Sequence, residues 1–209
     1  MLGDWTPADV RAPGMDFAER LSLWLNAFDA IGLQAAHQSI RAIRTAAPAR
    51  PPDARPRHAQ SVDEDFQQVR STLANAIARD PVATAAAEAG YSAYRRRHLE
   101  LQRQMEQMIG PLRDHVRQTL SRVSPRLRQL AALDAVLEQV VAPREQTVLP
   151  TAAALLERRF AQLRQGDVAG WLDVFVTDWR QALLAELDLR LEPVAGLIEA
   201  LGNELKNRQ

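Results

Sequence analysis

From Asp16 onward, apolar residues fall at Phe17, Leu21, Trp24, Leu25, Phe28, Ile31 and Ala35, steps of three and four that place them on one face of a helix. Asp16 followed by Glu19 has capping-box spacing, with Asp in place of Ser or Thr, so a helix is predicted over 16–45 behind an irregular segment, 1–15. Its Trp24 and Phe28 stripe is too large to leave wet and is expected to pack on the rest of the chain or on a partner. Pro48, Pro51, Pro52 and Pro56 then interleave with Arg50, Arg55 and Arg57, so 46–60 reads as a flexible, mildly basic linker.

The body, 61–209, shows the same helical period. Ser61 and Glu64 form a second capping pattern, and Phe66, Val69, Leu73 and Ile77 mark a face that ends at Asp80-Pro81. Two more turns are expected over 82–89, before Gly90. Ser92 should open a long helix through Tyr94, Leu101, Met105 and Ile109, which Gly110-Pro111 should stop or kink. The pattern resumes at Leu112, Val116 and Leu120. Ser124-Pro125 reads as an N-cap with proline at the first helical position, followed by Leu127, Leu130, Leu133, Val136, Leu137 and Val140. Pro143 and Pro150 should end that helix, and another is expected from Thr151 to Gly166. Trp171, Leu172, Phe175, Trp179, Leu183 and Leu187 mark the next, and Pro193 should start a terminal helix. Leu187, Leu189 and Leu191 also alternate as in a strand, but their flanks are strong helix formers. The predicted architecture is all-α: long antiparallel helices forming a bundle, with an N-terminal helical arm.

Composition narrows the chemistry. In 209 residues, 46% hydrophobic and 25% charged, there is enough apolar material for a packed core. The absence of Cys excludes a disulfide framework, a thiolate metal site and a cysteine nucleophile. No early stretch has the form of a secretory signal, and Asn26, Asp29 and Gln34 interrupt the most apolar one, so a cytoplasmic protein without membrane insertion is expected. His37, His58, His98 and His115 show no ligand spacing, and no phosphate-binding glycine loop, dinucleotide fingerprint or nucleophile elbow occurs. No catalytic residue, metal or cofactor is therefore assigned. Asp134, Glu138, Glu186 and Asp188 could hold a metal in a cryptic nuclease, but carboxylates on such charged helices are more often solvated or paired.

Lys plus Arg and Asp plus Glu both total 26, yet the charge is segregated. Arg95, Arg96, Arg97, Arg103, Arg113, Arg117, Arg122, Arg126 and Arg128 form a basic stretch, whereas 167–204 is acidic. The two regions either pair within the fold or serve as partner- or phosphate-binding surfaces. Tyr94 beside Arg95, Arg96 and Arg97 has the composition to stack on single-stranded nucleic acid.

Ordered strings carry a further signal: Asp16-Phe17-Ala18-Glu19-Arg20-Leu21, Tyr94-Arg95-Arg96-Arg97, Ile109-Gly110-Pro111-Leu112-Arg113, Leu130-Ala131-Ala132-Leu133-Asp134-Ala135-Val136 and Leu183-Leu184-Ala185-Glu186-Leu187-Asp188-Leu189-Arg190-Leu191. Together, over nearly the whole chain apart from the linker, they resemble the ZorF family of the type III Zorya anti-phage defence system. That resemblance implies a further helical segment before Asp16, which this chain nearly lacks. It also implies a cytosolic accessory component, recruited to the inner membrane by a proton-driven ZorA/ZorB motor, with a ZorG-type small protein or the cytosolic part of ZorA as partner. It carries no catalytic residues. The expected function is a non-enzymatic interaction protein, with Trp24, Phe28, Tyr94, Arg95, Arg96, Arg97, Arg113 and Arg117 as candidate contacts and homo-oligomerisation open. The alternative is a nucleic-acid-binding effector that uses the strip from Arg95 to Arg128.

Overall fold

The computed structural model describes residues 27–43, 56–82, 90–166 and 169–207. Among them the regular structure is entirely α-helical: α1 (Ala27–Ile43), α2 (Pro56–Ala78), α3 (Gly90–Val123), α4 (Pro125–Gln165) and α5 (Trp171–Lys206). The expected turns over 83–89, most of the linker and the Asp16 cap lie outside the described residues.

Three long helices dominate, and on two of them, α3 and α5, the apolar stripes are uninterrupted. On α3 the buried positions run Tyr94, His98, Leu101, Met105, Ile109, Leu112, Val116 and Leu120, and on α5 Phe175, Trp179, Leu183, Leu187, Leu191, Val194, Leu197 and Leu201. Steps of three and four keep each set on one face, which the facing helices cover. Leu187 and Leu191 are buried while Leu189 is 68% exposed, as a helix rather than a strand requires. At the wide end of the core, Tyr91, Tyr94, Phe160, Trp171, Phe175 and Trp179 pack mostly edge to face, with the Phe160 and Phe175 centroids 4.9 Å apart.

Side-chain pairs give the helix directions. Arg113 with Glu138 and Arg117 with Asp134 set α3 antiparallel to α4, and Arg97 with Asp80, just past the end of α2, together with His115 and Asp65 set α2 antiparallel to α3. Gln102 with Glu186 and Glu106 with Arg190 make α3 and α5 parallel, since the long α4 carries the chain back between them. Across the molecule the order is α1, α4, then α3 beside α5, then α2.

Several termini follow the expected chemistry. Ser124 is extended (φ −152°) and its hydroxyl accepts from Leu127 N at 3.1 Å, with Pro125 in the first turn. Gly166 caps the end of α4. Gly90 (φ 66°) and Gly170 (φ 80°) stand at the starts of α3 and α5 in the left-handed region, where a Cβ is strained.

Other prolines act differently from expectation. The α2 helix opens at Pro56, so residues 56–60 belong to a helix and Ser61 lies inside it. Proline suits a first turn because the N–H it lacks would be unpaired there anyway. Pro111 and Pro193 lie inside α3 and α5, and α4 runs on through 143 and 150. An internal proline costs about 3 kcal/mol, but Pro111 and Pro193 are on exposed faces, where water can satisfy the freed carbonyls. Leu112 and Ile109, or Val194 and Leu191, are buried around them, each contributing roughly 1.5–3 kcal/mol. Packing on both sides therefore outweighs the local break.

Candidate functional site

The seam between α3 and α4 holds the densest charge network. Arg113 and Arg117, one turn apart on α3, face Asp134 and Glu138, one turn apart on α4. Arg113 donates from Nη2 and Nε to the two Asp134 oxygens at 2.6 and 2.9 Å, a bidentate fork. Arg117 donates from Nε to Asp134 at 2.7 Å, from Nη2 to Glu138 at 2.6 Å and from Nη1 to Asp114 at 3.0 Å. Burial alone would raise the Asp134 carboxyl, but the hydrogen bonds and charges of Arg113 and Arg117 hold it below the usual carboxylate range. Burial likewise works against the Arg117 cation, and its bonds to Glu138 and Asp134 reverse that too, raising its pKa.

Beside this network lies an open cleft of about 490 Å³ between the same two helices. Arg117, Arg122 and Arg128 line it above a floor of Ala131, Ala132 and Ala135, and no carboxylate borders it. Arg128 donates from Nε to the Ser121 carbonyl at 3.1 Å, which fixes its guanidinium without neutralising it. Among the described residues, Arg122 and Arg128 form no ion pair. The cleft is thus a cationic rim over a floor small enough for a backbone to approach.

A second polar seam lies deeper, between α3 and α5. Gln102 Nε2 donates to both Glu186 oxygens at 2.9 and 3.1 Å, Arg190 Nε donates to the same carboxylate at 2.9 Å, and buried His98 stands 3.7 Å from it. Burial lowers the His98 pKa against the pull of Glu186. Among the described residues, Tyr94 Oη and Trp179 Nε1 are buried near this seam without a hydrogen-bond partner.

The residues singled out by sequence therefore separate. Arg95 and Arg96 are exposed, Arg97 is bound to Asp80 and Glu100, and Arg113 and Arg117 are committed to the α4 carboxylates. Tyr94 is fully buried among Phe160, Phe175 and Trp179, so it is a core residue and cannot stack on a ligand. It continues the stripe of His98, Leu101 and Met105, which are buried as well. Trp24 and the Phe28 side chain lie outside the described residues. The carboxylates considered as metal ligands are dispersed: Asp134 and Glu138 on Arg113 and Arg117, Glu186 on Gln102 and Arg190, Asp188 on Arg70. Among the described residues, no group of three or more His, Asp or Glu side chains is placed to hold a metal, and no helix is long and apolar enough to cross a membrane.

Sequence reasoning missed Asp80. It is buried, receives Arg97, and accepts from Val82 N at 3.0 Å, an Asx-type turn that ends α2. The Asp80-Pro81 step signalled the helix end but not the distant arginine.

The outer layer is incompletely covered. None of the side chains described on α1 is buried, and Ile31 is 66% exposed. On α4, Leu130, Val136, Leu137 and Val140 are only half-buried and Leu133 is 40% exposed, although α1 packs here and Gln129 Nε2 reaches the Ile40 carbonyl at 3.0 Å.

A family model described as "Protein of unknown function (DUF3348)" matches residues 1–203. No curated protein and no solved structure matches the chain.

Proposed function

The chain belongs to the family of proteins of unknown function DUF3348, and on that premise we propose that it is a non-enzymatic helical accessory protein that works by protein–protein contact. The observation that carries this reading is the half-covered α1–α4 layer. An apolar two-helix face with Ile31 66% and Leu133 40% exposed is the kind of surface a protein partner buries. The resemblance to ZorF supplies the setting: an accessory subunit of a type III Zorya anti-phage system, in the cytoplasm or recruited to the inner membrane. Its partners in that setting are a ZorG-type small protein and the cytosolic part of the ZorA/ZorB motor.

Co-purification of tagged full-length chain with untagged ZorG-type protein and detergent-solubilised ZorA and ZorB tests it. A stoichiometric complex is expected, and Ile31→Asp with Leu133→Asp should abolish it while leaving helix content unchanged. A chain that retains neither ZorG nor ZorA overturns the reading.

A nucleic-acid effector is the second reading, favoured by Arg95, Arg96 and Arg122, which are exposed and carry no ion pair among the described residues. It requires duplex binding that falls steeply with salt and with Arg122→Glu. Arg113→Glu would not discriminate, because it breaks the Asp134 network.

A further inference from the structure

We infer that the cleft between α3 and α4 receives a second copy of this chain, through the acidic edge where α2 borders α5. The inference deepens, and rests on, the reading of the molecule as a protein-interaction scaffold.

The cleft asks for an anionic, helical occupant. Its rim carries Arg122 and Arg128 without ion pairs among the described residues, and its floor is Ala131, Ala132 and Ala135. Small side chains let a helix lie close, and unneutralised guanidinium groups at the rim favour carboxylates on that helix.

The chain carries such a surface itself. The first turns of α2 expose Asp63, on the stripe of Arg70, with Glu64 beside it, and the outer face of α5 exposes Glu192 and Glu199. Asp188, held by Arg70 of α2 at 3.1 Å, shows that this stripe of α5 borders α2. Glu192 and Glu199 follow at helical spacing on that stripe, with Gly196 also exposed on α5 between them. Neither Glu192 nor Glu199 has an ion pair among the described residues.

The two surfaces stand about two turns apart along the bundle. His115 of α3 lies 3.8 Å from Asp65, so the α2 acids are level with that turn of α3. The pairs Gln102 with Glu186 and Glu106 with Arg190 set α3 and α5 parallel at an offset of 84 residues, which brings Glu199 level with His115. Arg117 and Asp134 place the near end of the cleft within a turn of the same level, and Arg122 and Arg128 about two turns from it. Arg122 and Arg128 stand about two turns beyond Glu199, so a neighbouring bundle matches acid to base after a shift of about 10 Å along its axis.

Because the cleft and the acidic edge are different surfaces, the contact is heterologous and builds a closed ring or an open row of copies. It depends on exposed charge, so it weakens as the screening length shrinks from about 10 Å at 0.1 M salt to about 3 Å at 1 M.

Sedimentation velocity of the full chain across a concentration series, at low and high salt, tests the inference together with a charge swap. Wild type is expected to associate at low salt and dissociate at high salt. Arg122→Glu with Arg128→Glu makes both surfaces acidic, and Glu192→Arg with Glu199→Arg reverses the α5 part of the acidic edge, so each variant alone should associate far more weakly than wild type. An equimolar mixture of the two should associate again, because the cleft of each variant then meets α5 charges of opposite sign on the other. Circular dichroism checks that both are folded. The milder Arg122→Gln with Arg128→Gln reads the same contact without reversing charge and should weaken association several-fold.

A wild type that is monomeric at every concentration overturns the inference, as does association untouched by the reversals or a mixture that stays monomeric. Duplex DNA bound through Arg122 and Arg128 by a monomeric wild type assigns the cleft to nucleic acid and overturns it too. Failure here is separable from failure of the accessory-protein reading: monomeric chain that still retains ZorG or ZorA removes only the self-contact.

Discussion

Asp134 serves two arginines at once, and only 9% of it is exposed. Asp134→Asn keeps the shape but removes the charge that both guanidinium groups face. The expected loss is about 1–3 kcal/mol, because two partly buried cations lose their most buried counter-ion while Glu138 and Asp114 remain. Urea unfolding should show it, whereas exposed Arg95→Ala should stay within about 0.5 kcal/mol of wild type. His98 makes a prediction in pH. Burial holds its imidazole below the ordinary value, while the Glu186 carboxylate, itself bound by Gln102 and Arg190, pulls the other way. As pH falls through the unfolded-state value of about 6.5, the unfolded chain takes up a proton that the folded chain resists. Stability is therefore complete above that pH and declines below it until folded His98 titrates. Urea midpoints measured between about pH 7.5 and about pH 5 should fall, and His98→Gln should flatten the decline. Asp134 contributes in a lower window: its stabilisation is present above about pH 3.9 and is lost as pH falls through its depressed folded value.

At the scale of the element, the prolines test how far local rules govern. Ser124-Pro125 behaves as its residues dictate, because both the cap hydroxyl and the missing N–H act within one turn. Pro111 and Pro193 obey the same local energetics but lose to burial on either side. Pro111→Ala should therefore stabilise the chain by roughly 1–3 kcal/mol: it restores an α3 hydrogen bond, partly offset by a freer unfolded chain. A higher thermal midpoint with unchanged helix content is the expected result, and a lower one would mean that α3 depends on the proline. Helix existence and the buried faces were legible along the chain, since period reports face directly. Helix length was not, since whether a stripe survives a proline depends on what packs against both flanks.

For the whole molecule, burial is graded from the α3–α5 centre outward. Tyr94, Phe175 and Trp179 are fully enclosed, while no described α1 side chain is buried. Amide exchange should follow that gradient: α3 and α5 amides should open only with global unfolding and α1 amides in a smaller, local event. Equal protection in α1 and α3 would contradict it. The same gradient explains the candidate site. Nothing in the spacing of Arg113 and Arg117 distinguished a nucleic-acid strip from an internal network, because Asp134 and Glu138 reach them only through the α3–α4 turn.

The amino-acid sequence by itself determined the class of this protein: an all-α chain, cysteine-free and neutral in sum, with Ser124 and Gly166 as helix ends and continuous stripes on α3 and α5. These are local properties, set by backbone geometry and by the 3.6-residue period. Tertiary structure alone decided which cations are free. Arg97, Arg113 and Arg117 are bound, while Arg95, Arg96 and Arg122 carry no ion pair among the described residues. It also left the α1–α4 layer half covered. The physical reason is that pairing and burial depend on residues far apart in the chain, which helix packing brings within a few ångströms and which no periodicity records.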